Sequence, residues 1–426
     1  MGAELGPGVI SAGDVEFKEL SLIDTKNKDL RYNLLGAFVD FTIYEDLFSP
    51  VLTGYVALIE SQNLIESIPI VGEELIYAEF ATPSLPAIKC YFQITKIGIR
   101  EHDDKTSSYT LELISREGYV DLNSRKSKAY SGNTSVLLNS VYNDAFGEKL
   151  LESDASNNNI KFVSPYWGPL KTLNYITSRA LYPNSKIILP NYMFYQTCGG
   201  HKFKSLSNLL AQEPAMNYFF DKNKARISLD DGTSVRDVNR EYSSVKELTF
   251  VAAPDFIKNM INGAYNHNVF TIDLFNKSYS TKNYSYATDF TNSPHTDAHK
   301  LTTFSPSVNS GLFSTNASCN YLFDGVTNSN ADIIAKRTAI LAQLETWKLG
   351  IVVSGRTDLS VGMTINFMLN QFKTVDSTDK FNPVTYDKIY SGKYLITALQ
   401  FRFTQAKNWI NMEIIKDSAF SEIKIQ

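Results

Sequence analysis

His295-Thr296-Asp297-Ala298-His299 sets two imidazoles four residues apart with a carboxylate between them, a spacing that holds a metal when both lie on one helix face. Pro294 and the polar surroundings argue for a loop, and no third ligand is identifiable, so the expectation is a solvated loop without metal. Cys198, Gly199, Gly200 and His201 bring a thiol and an imidazole close in sequence, as a nucleophile and its base would need. In a hairpin turn those side chains need not meet, and the expected role is structural. The adjacent carboxylates Glu73-Glu74, Asp103-Asp104 and Asp230-Asp231 point apart on a strand or turn, so they read as exposed charges rather than acid/base pairs. No G-x-S-x-G nucleophile turn, G-x-x-x-x-G-K-[ST] loop or G-x-G-x-x-G loop occurs. The residues therefore predict no catalytic group, no cofactor and no metal, and a protein that is not an enzyme.

The composition narrows the remaining classes. A net charge of −4 and the lack of any basic run argue against a protein that grips nucleic acid through its phosphates. The opening MGAELGPGVISAG has neither the cationic start nor the apolar core of a signal peptide, and no apolar run approaches the roughly 20 residues of a membrane span. Cys90, Cys198 and Cys319 are odd in number and far apart, which implies neither a disulfide framework nor a zinc knuckle. The 24 Tyr and 26 Phe suit β-rich surfaces and subunit contacts.

What organises the chain is a pattern that occurs twice. IVGEELIYAEF, CYFQITKIGIRE and SSYTLELIS follow one another as SVGMTINFML, KYLITALQFRF and NWINMEIIK do later. Val71-Gly72 matches Val361-Gly362, Leu75 and Tyr77 match Ile365 and Phe367, Ile94-Thr95 matches Ile396-Thr397, and Leu111 to Ile114 match Met412 to Ile415. Period-two alternation marks these pieces as half-buried strands, so the repeat is a duplicated β-meander. Many short strands at this spacing favour closed or nearly closed barrels, which remove exposed edges. Before the second copy, Ile333, Ile334, Ile340, Leu341, Leu344 and Trp347 recur at three and four, predicting a helix of about five turns that ends at Gly350.

In chain order, residues 1–14 read as a flexible arm and 15–117 as the first barrel. Residues 118–240 read as an α/β region, with a helix capped by Thr134, a helix opened by Pro169, a hairpin around Gly199-Gly200, and a helix capped by Ser205 and stopped by Pro214. Residues 241–276 start the second barrel region, 277–330 form a Ser/Thr/Asn-rich insertion, 331–418 hold the long helix and second barrel, and 419–426 are a tail. The fold class is α+β, mainly β, with two similar antiparallel β-barrel domains separated by α/β insertions.

A barrel, an α/β insertion with W-x-P-L-x-x-L-x-Y-I-x-x-R-A and FYQTCGGHKFKSL, then a second barrel introduced by a long helix and a G-x-x-I-x-F strand, resembles the central baseplate hub protein of contractile-tailed bacteriophages. The likeness runs from about residue 15 to 418 and rests on the order of parts. It implies tail-tube-like barrels and a homotrimer whose six barrels join the six-fold tail tube, or its initiator, to a three-fold central spike. It further implies surrounding baseplate wedge proteins as partners, a channel through which DNA passes transiently, and a place in the virion tail baseplate after assembly in the host cytoplasm. Matching positions should then play matching roles, which nominates Val71, Gly72, Glu73, Glu74 and Val361, Gly362, Met363, Thr364 as ring- or tube-contact segments. A type VI secretion, tailocin or other injection-machine hub is the neighbouring alternative. A tail-associated cell-wall hydrolase or a receptor-binding module is the alternative of another class.

Overall fold

The computed structural model describes residues 11–420 apart from 25–29, 62–63, 68–69, 104, 148–149, 151, 184–188, 221–225, 229–233, 237, 254, 274–276, 302–311, 316–329, 345, 372–385 and 406. Cys319, Asp104, Asp230 and Asp231 therefore lie outside the described residues.

Thirteen strands make one sheet. In the first part of the chain these are β1 (Glu16–Ile23), β2 (Arg31–Asn33), β3 (Phe38–Asp46), β4 (Thr53–Glu60), β5 (Leu75–Ala81), β6 (Ile88–His102) and β7 (Ser107–Ser115). Later come β8 (Asn217–Phe220), β9 (Val245–Ala252), β10 (Trp347–Ser354), β11 (Thr364–Leu369), β12 (Gly392–Thr404) and β13 (Asn408–Lys416). Hydrogen bonding runs β9-β10-β13-β12-β3-β4-β7-β6-β5-β1-β2, with β11 beside β12 and β8 beside β11. The mainly-β expectation holds. No barrel closes completely: among the described residues the hydrogen-bonded path is open, and the C-terminal half of β12 pairs antiparallel with β3 and joins the halves edge to edge.

The repeat is larger than its sequence signal. Strands β3-β4-β7-β6-β5 and β9-β10-β13-β12-β11 lie in the same order. In the first set Phe41 faces Val56, Val56 faces Leu111 and Leu111 faces Ile97. In the second, Leu248 faces Ile351, Ile351 faces Met412 and Met412 faces Leu399. Both sets carry a bulge between Phe38 and Asp40 or Val245 and Glu247. Both carry another between Ile94 and Lys96 or Ile396 and Ala398. At the second bulge the extra residue is a threonine whose hydroxyl caps the facing carbonyl: Thr95 Oγ1 donates to Glu112 O at 3.1 Å, and Thr397 Oγ1 to Glu413 O at 3.3 Å. A bulge leaves one residue unpaired on the ladder, and a β-branched hydroxyl satisfies the carbonyl there.

One piece of the match shifts by a residue. Ile94 N–H donates to Glu74 O and Ile396 N–H to Met363 O, so Ile76, not Leu75, stands where Ile365 stands. Both Ile76 and Ile365 are fully buried, whereas Leu75 is half-buried.

One apolar core underlies both halves. Across the β12–β3 junction the Phe403 ring lies 4.4 Å from Phe80 and 5.8 Å, stacked, from Phe41. Such pairs add about 0.5–1.5 kcal/mol each beyond their area. The long helix is shorter than its apolar period suggests, spanning Asn330–Leu344. Trp347 and Gly350 belong to β10, where Trp347, Leu349, Ile351 and Val353 are buried at every second position, so the period of two takes over four residues early.

In the α/β region the helix Thr134–Phe146 is capped by Asn133, one residue before the expected Thr134, with Oδ1 accepting from Ser135 N–H at 3.0 Å. Pro169 opens the helix Pro169–Thr177, and Ser205 caps Leu206–Ala211, both as expected. The strands Tyr192–Thr197 and Gly200–Ser205 form the hairpin. Residues 11–14, placed in the flexible arm by sequence, are anchored: Ala12 is buried and Asn408 N–H donates to Gly13 O at 2.8 Å.

Candidate assembly surfaces

The residues that could do chemistry are occupied by structure. His201 is buried; its Nε2 lies 2.8 Å from Pro50 O and its Nδ1 3.0 Å from the Tyr142 hydroxyl. With a carbonyl on one side and a hydroxyl on the other, the neutral Nε2–H tautomer fits, and burial lowers its pKa accordingly. Its neighbour Cys198 is engaged elsewhere. The Cys90 thiol donates to Cys198 O at 3.7 Å, so two of the three widely spaced cysteines meet where the hairpin crosses the first half.

His295 is not in a solvated loop. Its Nδ1 lies 2.7 Å from Asp417 Oδ2, its Nε2 bonds Phe290 O, and its ring stacks on Phe290 at 3.8 Å. Burial pulls the His295 pKa down, but the hydrogen bond and charge of Asp417 outweigh it and leave the pKa raised. For buried Asp417, desolvation is likewise outweighed by His295 and Thr296, and its pKa is lowered. Two neighbours strengthen the node, Thr296 N–H to Asp417 Oδ1 at 3.0 Å and Asp297 N–H to Ser418 Oγ at 2.6 Å. Burial also raises Asp297 to about 6. His299 sits in a short strand paired with Ala419. Among the described residues no three His, Cys, Asp or Glu side chains are grouped to hold a metal.

Among the described residues Glu45 is the least exposed carboxylate. It projects from β3 into the core, where one oxygen accepts from Cys198 N–H at 2.6 Å and the other from Val361 N–H at 3.0 Å. One side chain thus pins the hairpin of the α/β region and the turn before β11 to the first half of the sheet. Burial raises its pKa, against the pull of those amides.

The nominated segments occupy equivalent places, the turns leading into β5 and β11. Gly72 and Gly362 both have positive φ, +98° and +85°, which favours glycine. Their surroundings differ. Val71 is 65% exposed, whereas Val361 is 1% exposed. Glu74, expected as an exposed charge, is buried, and its carboxylate accepts from the amides of Val71 and Gly72. Gly362 lies under Tyr195, whose hydroxyl would stand 2.4 Å from an added Cβ. Glu73, the neighbour of Glu74, points to solvent.

Sequence reading did not find two of the sheet's unpaired edges, both within the repeated strands. Residues 97–102 of β6 pair only with β7, and β9 pairs in the sheet only with β10, among the described residues. Ile99 is 80% exposed, and Phe250 and Val251 are each 53% exposed. The broad face above the sheet carries ion pairs, Lys96–Glu112 and Lys348–Glu413 at 3.3 Å and Arg402–Asp40 at 2.8 Å. A shallow depression of about 440 Å³ lies there over β3, β12, β13 and β10.

Two solved structures share this architecture. A tail protein from Neisseria meningitidis MC58 matches with a TM-score of 0.55 and 9% identity, over 94% of this chain and 96% of that one. The 43 kDa tail protein of prophage MuSo2 from Shewanella oneidensis matches with a TM-score of 0.55 and 8% identity, over 94% of this chain and 99% of that one. The chain has the fold of phage tail proteins. No protein-family model matches the sequence, and no curated protein does. The tail-protein fold spans both halves of the repeat and the α/β region between them, so the likeness concerns the whole architecture and not one module. No helix among the described residues is long and apolar enough to cross a membrane.

Proposed function

We propose that this chain is a structural hub of a contractile injection machine, most similar in kind to a phage baseplate hub. Three copies form a ring of six similar five-stranded units, one side of which meets the six-fold tail tube or its initiator and the other a three-fold central spike. Baseplate wedge proteins surround it. The observation that carries this reading is the five-strand duplication, with the same order, registers and bulges, inside a tail-protein fold. Two alike units per chain turn three-fold into approximate six-fold symmetry. The ion-paired sheet face suits a channel wall, since unneutralised lysines and arginines would hold DNA by its phosphates and slow its passage. Of the two nominated segments, 71–74 is the one open to a tube or spike partner in the single chain, because Tyr195 and Glu45 cover 361–364. The role is one of assembly and not of catalysis.

Native mass by light scattering, for the purified chain alone and mixed with the particle's spike protein, tests the reading. A species near three times 47.9 kDa is expected in one or both conditions. A monomer in both would overturn it.

A further inference from the structure

The two halves of the sheet are joined by one strand pairing, and its counterpart is missing from the single chain. Inside the chain the end of β12 pairs with β3: Phe401 faces Ile43, Arg402 faces Thr42 and Phe403 faces Phe41. The repeat maps the end of β12 onto the end of β6, because Phe401 faces Ile410 where Arg100 faces Tyr109. It maps β3 onto β9, because Ile43 faces Gly54 where Phe250 faces Leu349. Both edges lack a second partner strand among the described residues. Within one chain they stand at opposite ends of the five-plus-five array, so the counterpart pairing requires a second copy.

We infer that residues 97–102 of one chain pair antiparallel with residues 248–253 of the next, with Arg100 facing Phe250, Glu101 facing Thr249 and His102 facing Leu248. This rests on the hub reading above and supplies its subunit seam. The edges fit in a way the repeat alone does not demand. Relative to β12, β6 has one extra residue between Ile97 and Arg100. Relative to β3, β9 has one extra residue between Phe250 and Ala252. The two insertions fall opposite each other, so the register runs unbroken across the seam and sets Ile99 against Val251. Both are exposed apolar side chains in the single chain. Unpaired edges of this kind are normally blunted by charge or proline, and an apolar pair facing across them is what strand addition uses. One feature weakens the seam relative to its template. The ion pair Arg402–Asp40 maps onto Glu101 and Glu247, which places like charges on a diagonal.

The test uses the full chain carrying Ile99→Cys and Val251→Cys, both surface positions, oxidised gently under the conditions of the mass measurement. Disulfide-linked chains ending at a closed trimer are expected. The register control Ile99→Cys with Thr249→Cys should give few links. A second variant, Glu247→Lys, removes the like-charge diagonal and should shift the monomer–trimer midpoint to lower protein concentration by several-fold. A trimer by mass that forms no Ile99–Val251 link and is indifferent to Glu247→Lys overturns the seam while leaving the hub reading intact. A chain that stays monomeric overturns both.

Discussion

Replacing Glu45 should loosen two segments that lie far from it in sequence. In Glu45→Ala the buried amides of Cys198 and Val361 lose their acceptor. An orphaned buried amide costs about 1–3 kcal/mol, so the two together cost about 2–6 kcal/mol. Glu45→Gln keeps one acceptor oxygen and turns a donor towards the other amide, which places its cost at about half that range. Hydrogen exchange read by mass spectrometry on peptides covering 192–205 and 357–364 measures the effect where it arises. At 1.4 kcal/mol per decade, the about 1–3 kcal/mol lost at each amide should speed exchange in each segment by about five-fold to a hundred-fold. The pH dependence has a defined sign. Burial raises the folded pKa of Glu45, so its contribution is full below the ordinary carboxylate value of 4.5 and declines as pH rises through the raised value. Glu45→Gln does not titrate, and its deficit against wild type should narrow with increasing pH. Wild-type exchange rates at both segments in both variants would refute the idea that this carboxylate clamps the α/β region to the sheet.

The His295–Asp417 pair should hold residues 290–300 most firmly between about pH 4 and 6.5. The raised histidine contributes fully below 6.5 and less as pH rises through its folded value, while the lowered aspartate contributes above 3.8 and less as pH falls through its own. Asp417→Asn breaks a buried pair, a change that costs about 3–5 kcal/mol, and should make this segment the first site of limited proteolysis. Protection equal to wild type would count against the node. Gly362→Ala combines a left-handed backbone, about 1–2 kcal/mol, with overpacking against Tyr195, about 1–3 kcal/mol. Gly72→Ala meets nothing nearer than 3.7 Å and bears only the first cost, so thermal unfolding should show the larger loss at 362.

The meander was legible because most of its strands alternate along part of their length and because the threonine bulge repeats as I-T in both copies. The outer two strands of each five were not legible as a repeat. Gly54 and Leu349 occupy one position, Ile43 and Phe250 another, and the insertions between strands differ so much in length that no common spacing survives. The match slipped by one residue at Gly72 and Gly362 because the two glycine turns enter their strands one residue apart. Glu74 and His295 looked solvated for a different reason. Glu74 is buried by turning back on the amides of Val71 and Gly72, and Asp417, the partner of His295, lies 122 residues away, where no spacing rule reaches. Closed or nearly closed barrels were expected because nothing local encodes the edge-to-edge junction of β12 and β3.

That junction also fixes when the protein can finish folding. Arg402 and Asp40 bond across it although 362 residues separate them. A ribosome must therefore release nearly the whole chain before Phe403 can cover Phe41 and Phe80, and until then the first five strands present an open apolar flank. Synthesis of the last strands is thus the step that covers the flank of the first half, and a chain truncated before β12 would keep that flank exposed.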